Sequence, residues 1–434
     1  MADIRAFRGF RYDLGRVGSL SDVVAPPYDV VDATLQKHLY AASPYNAIRV
    51  ELTQEEPDDD ELENKYTRAA STFKDWLAAD VLRQDTARGI YVYEQEFTVE
   101  GQTYTRRGFL ARIRLEPFGT GRIYPHEQTL SGPKADRLKL YNATNFNISP
   151  IFGLYPDAEN EVFAKVESLI RSAPPIVARD HLGVWNRMWL VADQSIISAL
   201  IGLMGPKPVY IADGHHRYET GLKYLEEQRA GNLVPNEESP QNFCLMQLVS
   251  MGDPGLIILP THRLLSGLPA MTSAELQALL QPHFDIVGTF GTNAQECWEH
   301  LQMDGSQAIL GFGTEADGHY FAAKLRTPEV MADVAPQQSE SWRALAVSIL
   351  HKLVIEKILT EKYGTKAECK YVHLMKEVTD AMSQKSCTVA ALVPPCEMEH
   401  VEEIAGNGET MPPKSTYFYP KLLTGMVFHS LKKE

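Results

Sequence analysis

The stretch Pro208-Val-Tyr-Ile-Ala-Asp-Gly-His-His-Arg-Tyr-Glu-Thr220 constrains this chain more than any other. Val209, Tyr210, Ile211 and Ala212 form an apolar run with β-branched and aromatic members, the pattern of a strand. From Tyr218 onward Leu222 and Leu225 fall at helical spacing, with Tyr224 beside them. Asp213, Gly214, His215, His216 and Arg217 therefore occupy a strand-to-helix turn. Such a turn aims backbone N–H groups and the positive end of the helix dipole outward, which suits an anion such as phosphate. Gly214 permits a close backbone approach or a positive φ. Asp213 is the candidate Mg²⁺ ligand or proton acceptor, and His215, His216 and Arg217 are candidate neutralisers of phosphate charge. The same residues also read without chemistry, with Asp213 capping the helix and the histidines as polar turn residues. Four titratable side chains in a run of five, directly after a buried strand, weigh toward a site. Adjacent histidines raise zinc, but sequence neighbours rarely ligate one ion as a pair, and neither a cysteine ligand pattern nor HExxH accompanies them.

At 434 residues the chain has room for two or three domains and ample core. The net charge, 42 − 56 = −14, argues against a nucleic-acid partner, because such surfaces need clustered cations. Cys244, Cys297, Cys369, Cys387 and Cys396 are scattered and contain no C-x-x-C, as expected of reduced, mostly buried thiols in a cytoplasmic protein. The first residues, MADIRAFRGFRYDLG, lack the apolar core of a signal peptide, and no apolar run reaches bilayer length, so no membrane partner is expected. The oligomeric state is left open. The acidic run Glu55–Glu61 is expected to open a helix, where carboxylates suit the dipole.

Along the chain, residues 1–120 read as an N-terminal α+β region. A strand is expected over Asn46–Leu52, an amphipathic helix over Asp59–Leu82 with Leu62, Phe73 and Trp76 on its apolar side, and a hairpin of Ile90–Val99 with Tyr104–Leu115 around Glu100-Gly101. Residues 121–260 form the core region: a basic-polar helix with Lys134, Arg137 and Lys139, a strand over Pro150–Tyr155, a helix over Glu159–Ser172, strand signals near Ile176 and over Val184–Val191, then the turn. Residues 261–434 form a C-terminal α+β region with helices at Ser273–Leu280 and Asn293–Leu301, a hairpin within Gln307–Leu325, a long helix near Trp342–Leu359 and a strand over Thr388–Val393. Gly311-Phe-Gly-Thr-Glu-Ala316 matches a dinucleotide loop in letters, but Asp317-Gly318 and another strand follow it, so it is a hairpin.

Five segments taken together, Ala25-Pro-Pro-Tyr-Asp-Val-Val31, Pro125-His-Glu-Gln-Thr129, the Tyr210–Thr220 turn, Leu259-Pro-Thr-His-Arg263 and Met411-Pro-Pro-Lys-Ser-Thr-Tyr-Phe-Tyr-Pro-Lys421, resemble the bacterial family called domain of unknown function 1015. The turn itself resembles the nucleotide-binding turn of the ParB/sulfiredoxin fold, closest to the free L-serine kinases of that fold. This resemblance implies an α+β class with mixed sheets and a ParB/sulfiredoxin-like core over 121–260. It also implies ATP or ADP with Mg²⁺, and phosphoryl transfer to the hydroxyl of a free, serine-like amino acid. Pro125-His126-Glu127 resembles the upstream kinase segment whose Glu activates the acceptor, which assigns that role to Glu127 and a phosphate contact to His126. A sulfiredoxin cysteine is missing from the turn, and no basic helix-turn-helix of the ParB kind is present.

Phosphoryl transfer needs a phosphate cradle, cations on the equatorial oxygens and an aligned nucleophile. Arg137 and Lys134 are secondary candidates for the acceptor carboxylate or the nucleotide. Lys414 in the Pro-Pro-Lys-Ser-Thr segment is either a clamp over the site or part of a C-terminal strand that packs Tyr417, Phe418 and Tyr419 on the core. His262 and Arg263 are either a site-lining pair or a solvated loop. Without the resemblance Glu127 reads as a capping or surface carboxylate. A non-catalytic nucleotide-binding regulator built on the same turn is the alternative function, and a scaffold with a purely structural turn is a third.

Overall fold

The computed structural model describes residues 2–127 and 131–432, the side chains of Ser131 and Pro133 excepted. Gln128 and Thr129, the end of the Pro125–Thr129 motif, lie outside the described residues. The chain divides into two units, both mixed α and β, which is the α+β class expected. The first holds Met1–Pro125, Thr129–Ile257 and Pro420–Glu434, and the second His126–Gln128 and Ile258–Tyr419.

In the first unit one sheet runs in the order Ile123–Pro125, Val209–Asp213, Ile151–Tyr155, Phe243–Ser250, Gln102–Arg114, Ile90–Val99, Trp185–Val191, Ile176–Arg179, with Ile4–Arg5 also pairing onto Gln102–Arg114. It joins strands from 1–120 with strands from 121–260. The hairpin forms around Glu100 and Gly101, at φ 50 and 82, which a tight two-residue turn requires. Ile90, Val92, Phe109, Ala111, Ile151, Val209, Ile211, Met246 and Leu248 put the apolar face of this sheet into one core. Helices Glu161–Ser172, Gln194–Met204 and His215–Ala230 cover that core with Val162, Val166, Ile197, Leu200, Tyr218 and Leu225. Alternation along the strands sends Gln95, Arg106, Phe152, Asn186 and Gln247 to the opposite face, where the polar Gln95, Arg106, Asn186 and Gln247 are each fully buried.

The second unit is built on an antiparallel sheet ordered Phe284–Thr289, Tyr320–Leu325, Ile309–Thr314, Val389–Leu392, His262–Ser266, Glu368–Val372. Leu265, Leu310, Phe312, Phe321 and Ala391 enter one core, while their neighbours Leu264, Ile309, Tyr320, Ala322 and Ala390 enter another. Both faces of the sheet are therefore covered. Gly311 and Gly313 sit inside a strand of it, consistent with a hairpin and not with a nucleotide loop.

Three expected elements differ. Asn46–Leu52 is not a strand: Asn46 Oδ1 accepts from the Ile48 amide at 2.9 Å, and its Nδ2 donates to the Val24 carbonyl at 3.1 Å, which starts a helical turn at Ile48–Glu51. Local side-chain capping and burial override the β-branched composition. The amphipathic helix is shorter, Lys65–Ala78, because Asn64 forms a capping box with Thr67. The acidic run thus lies before the helix rather than in its first turn, and Leu62 is 82 % exposed. The helix expected over Trp342–Leu359 breaks at Leu345, whose ψ of 135 is extended, and continues as Ala346–Ser348 and a π-helical stretch, Ile349–Thr360.

Candidate functional site

The strand Val209–Asp213 ends in a β-bulge. Ile211 pairs with Gly153, but Asp213 pairs with Phe152. Simple alternation would put Asp213 on the apolar face with Val209 and Ile211. The extra residue re-aims it to the polar face that carries Phe152, as bulges beside functional sites do. Gly214 follows at φ 91, and no side chain caps the helix His215–Ala230. A Cβ at Gly214 would lie 3.0 Å from the Arg217 guanidinium, so glycine serves both conformation and space.

Asp213 does not cap the helix. Its Oδ2 lies 2.6 Å from Arg217 Nη2, and its Oδ1 lies 2.5 Å from Lys421 Nζ. Arg217 is buried and also donates through Nη1 to the Pro150 carbonyl. Burial opposes its charge, but Asp213, Asp29 and Glu51 more than offset this and hold it above its ordinary value. His215 is buried and His216 half-buried at the helix start. Tyr28, whose phenol burial and Asp29 push up to about 12, feels the pull of Arg217 and Arg137 in the other direction. Arg137 lies over the Tyr28 ring at 4.2 Å and donates to the Glu51 carbonyl at 2.8 Å. Lys134 Nζ pairs with Glu219 at 2.6 Å. In the first unit the structure thus brings together Asp213, Gly214, His215, His216 and Arg217. Arg137 is joined to this group through Tyr28 and Glu51, and Lys134 is tied to the same helix through Glu219.

Sequence reasoning missed Lys421, Tyr28 and Glu51 here. Lys421 and Tyr28 stood inside quoted motifs, where a lysine after Pro420 and an aromatic after Pro27 were the available signals. Glu51 was concealed in a segment read as a strand.

The other candidates lie in the second unit. Glu127 bridges in parallel to Met411 and accepts from the Lys414 amide, and the His126 carbonyl accepts from the Met411 amide at 2.7 Å. His126 Nε2 is 2.8 Å from Thr416 Oγ1. Arg263 Nη2 donates to the Lys414 carbonyl at 2.7 Å, so the Lys414 backbone, at φ 60, is held between Glu127 and Arg263. Tyr417–Tyr419 forms a strand with Phe418 buried and Tyr417 stacked on His373. His262 and Arg263 are not a solvated loop, because both are buried on the strand His262–Ser266. As strand neighbours they point to opposite faces, so they do not line one site as a pair. Arg263 lies beside Tyr371, while His262 meets Trp298 edge-on at 4.8 Å.

Burial, with the Arg263 and His373 charges, pushes the His262 pKa down to about 3. Above the unfolded value of about 6.5 neither state is protonated and His262 adds nothing. Between about 6.5 and 3 the unfolded chain takes a proton that the folded one refuses, so stability falls as pH falls, by about 1.4 kcal/mol per pH unit. Urea unfolding is expected to show a pH-dependent loss from pH 6.5 to 5 whose slope drops by about one proton in His262→Phe. An unchanged slope in that variant would show that His262 is not buried neutral.

Among the described residues no group of three or more His, Cys, Asp or Glu could hold a metal ion. The Mg²⁺ ligand expected at Asp213 does not fit as the residues stand: both carboxylate oxygens are already taken by cations, and a divalent ion there would meet Arg217 and Lys421 at close range. No helix among the described residues is long and apolar enough to cross a membrane.

The family model described as "Protein of unknown function (DUF1015)" matches residues 4–348, and the chain belongs to that family. No curated protein matched the chain. Solved structures similar to it include a free serine kinase in complex with AMP, at 13% identity and TM-score 0.34, covering 68% of this chain and 83% of that one. C-terminally truncated SbnI from Staphylococcus aureus is similar at 13% identity and TM-score 0.35, covering 75% of this chain and 90% of that one. A conserved hypothetical protein from Pyrococcus furiosus is similar at 14% identity and TM-score 0.33, covering 69% and 89%.

Proposed function

We propose that this member of the family is a nucleotide-dependent kinase that moves a phosphoryl group from ATP or ADP to the hydroxyl of a small molecule, a serine-like free amino acid being the first acceptor to test. The observation that supports this is the turn: a bulge aims Asp213 off the core, Gly214 opens the start of a helix at positive φ, and the buried cation Arg217 stands behind it. Helix N-termini with adjacent fixed cations hold phosphate, and phosphoryl transfer asks for little beyond positioning and charge. In this reading Asp213 to Arg217 form the cradle, with Lys134 and Arg137 as further polar contacts for nucleotide or acceptor. Glu127 takes the acceptor proton. Mg²⁺ is given no step.

A second reading has a specific observation in its favour. Asp213 is already neutralised by two cations, which suits a protein that binds nucleotide and does not turn it over, a regulator. One screen separates them. The protein is incubated with ATP, ADP or CTP against amino acids and small alcohols, with and without Mg²⁺, while phosphorylated acceptor and nucleotide binding are both measured. Phosphoserine or a related phosphomonoester supports the kinase, binding without any transfer or hydrolysis supports the regulator, and no binding at millimolar nucleotide removes both.

A further inference from the structure

We propose that Lys421 is a phosphate-binding residue of the turn, delivered to it by the segment Pro420–Gly425 and exchanging its bond to Asp213 for one to a nucleotide phosphate. The proposal rests on the nucleotide reading above and adds a residue to it. Lys421 reaches the turn from 208 positions away in the sequence, and its Nζ lies 2.5 Å from Asp213 Oδ1. Its side chain is only 14% exposed, and a lysine ammonium is rarely kept so dry without a purpose for its charge.

The segment that carries Lys421 is fastened to the polar face of the sheet. Arg106, stacked over Phe152 at 4.6 Å, donates to the Pro420 carbonyl, and Gln95 Nε2 donates to the Lys421 carbonyl at 3.2 Å. Gln95 is held in turn by Asn186 at 3.0 Å. Further on, Thr424 exchanges both backbone bonds with Ala25, at 3.0 and 2.8 Å. The backbone of Lys421 is therefore fixed on the same face to which the bulge turns Asp213, while its side chain ends at the start of the helix. Gln247, fully buried on that face, has no hydrogen-bond partner among the described residues for either its Oε1 or its Nε2.

Asp213 stands between two cations, Arg217 and Lys421. Arg217 is anchored by a second bond to Pro150, whereas Lys421 Nζ is a compact point charge on a flexible stem. An arriving phosphate competes with Asp213 for Lys421 rather than for Arg217. Lysine is a suitable phosphate partner in this position because its three donors need no planar match.

The full-length protein is titrated by calorimetry with ATP, ADP and adenosine. Lys421→Gln is expected to weaken ATP and ADP by about 10- to 100-fold, the size of a charge-assisted bond, and to leave adenosine within about twofold. Lys421→Arg is expected to recover most of the loss. If Lys421→Gln does not fold, Asp213→Asn with Lys421→Gln keeps a neutral bonded pair and is compared with Asp213→Asn alone for the same selective loss. Equal weakening of adenosine and ATP, or unchanged ATP binding, overturns the proposal while leaving the nucleotide reading intact. A wild-type protein that binds none of the three ligands ends both.

Discussion

Glu127→Gln is expected to lower phosphoryl transfer by about 10²- to 10⁴-fold while nucleotide affinity stays within about twofold. The amide keeps the shape of the side chain and can still accept from the Lys414 amide, the bond that Glu127 makes through Oε1. What it loses is the ability to take a proton. Burial pushes the Arg263 guanidinium down to about 10, and Glu127 is among the groups that act against this. Single-turnover transfer gives the chemical step and calorimetry the binding. Transfer at the wild-type rate in Glu127→Gln would remove the base assignment and favour the regulator. Loss of nucleotide binding in step with transfer would instead make Glu127 a support of the Lys414 backbone.

The strand-turn-helix at the centre of this reading was legible because the period of the apolar residues changes within six positions, from Ala212 to Tyr218. Val209 to Ala212 follow a buried strand and Tyr218, Leu222 and Leu225 a helix, and the elements observed are Val209–Asp213 and His215–Ala230. The hairpin at Glu100-Gly101 was legible for the same local reason, since its turn chemistry lies in two adjacent residues. Elements whose cause is distant were not. Ile48 and Val50 look like strand residues, and only the contact of Asn46 with the Val24 carbonyl shows why they coil. The order of the large sheet, which sets Val209–Asp213 between Ile123–Pro125 and Ile151–Tyr155, depends on pairings that no window of sequence contains.

The site was legible as a list of residues and not as a geometry. Periodicity assigns Asp213 to the face of Val209 and Ile211, and the bulge that reverses it leaves no composition signal. His262 and Arg263 looked like one feature because they are adjacent, yet adjacency on a strand is what separates them, one toward Trp298 and the other toward Tyr371. Lys421 was visible as the last letter of a motif, and its partner Asp213 was visible inside another. That these two meet is a fact about chain return, with residues 420–434 belonging to the first unit after a long excursion through the second.

Asp213→Ala is expected to destabilise the first unit by about 3–5 kcal/mol, the usual cost of removing one partner from a buried ion pair. Arg217 is only 4% exposed, and its bond to Asp213 at 2.6 Å is its ion pair within 4 Å among the described contacts. The Pro150 carbonyl that also accepts from it is neutral. With Asp213 gone, a guanidinium and the Lys421 ammonium are left close together in a poorly hydrated place, and Asp29 and Glu51, which act on Arg217 only through space, compensate part of this. Asp213→Asn keeps one acceptor oxygen and loses the charge, so it falls between the wild type and Asp213→Ala. Adding Arg217→Met to Asp213→Ala is expected to recover most of the loss, because an apolar side chain of similar length fills the space without an unpaired charge. Urea midpoints of the wild type, Asp213→Ala, Arg217→Met alone and the double variant complete a double-mutant cycle. A single-variant cost below about 1 kcal/mol, the range of exposed ion pairs, would mean that solvent reaches the Asp213–Arg217 pair and that the turn is not the dry, preformed phosphate cradle on which the functional reading depends.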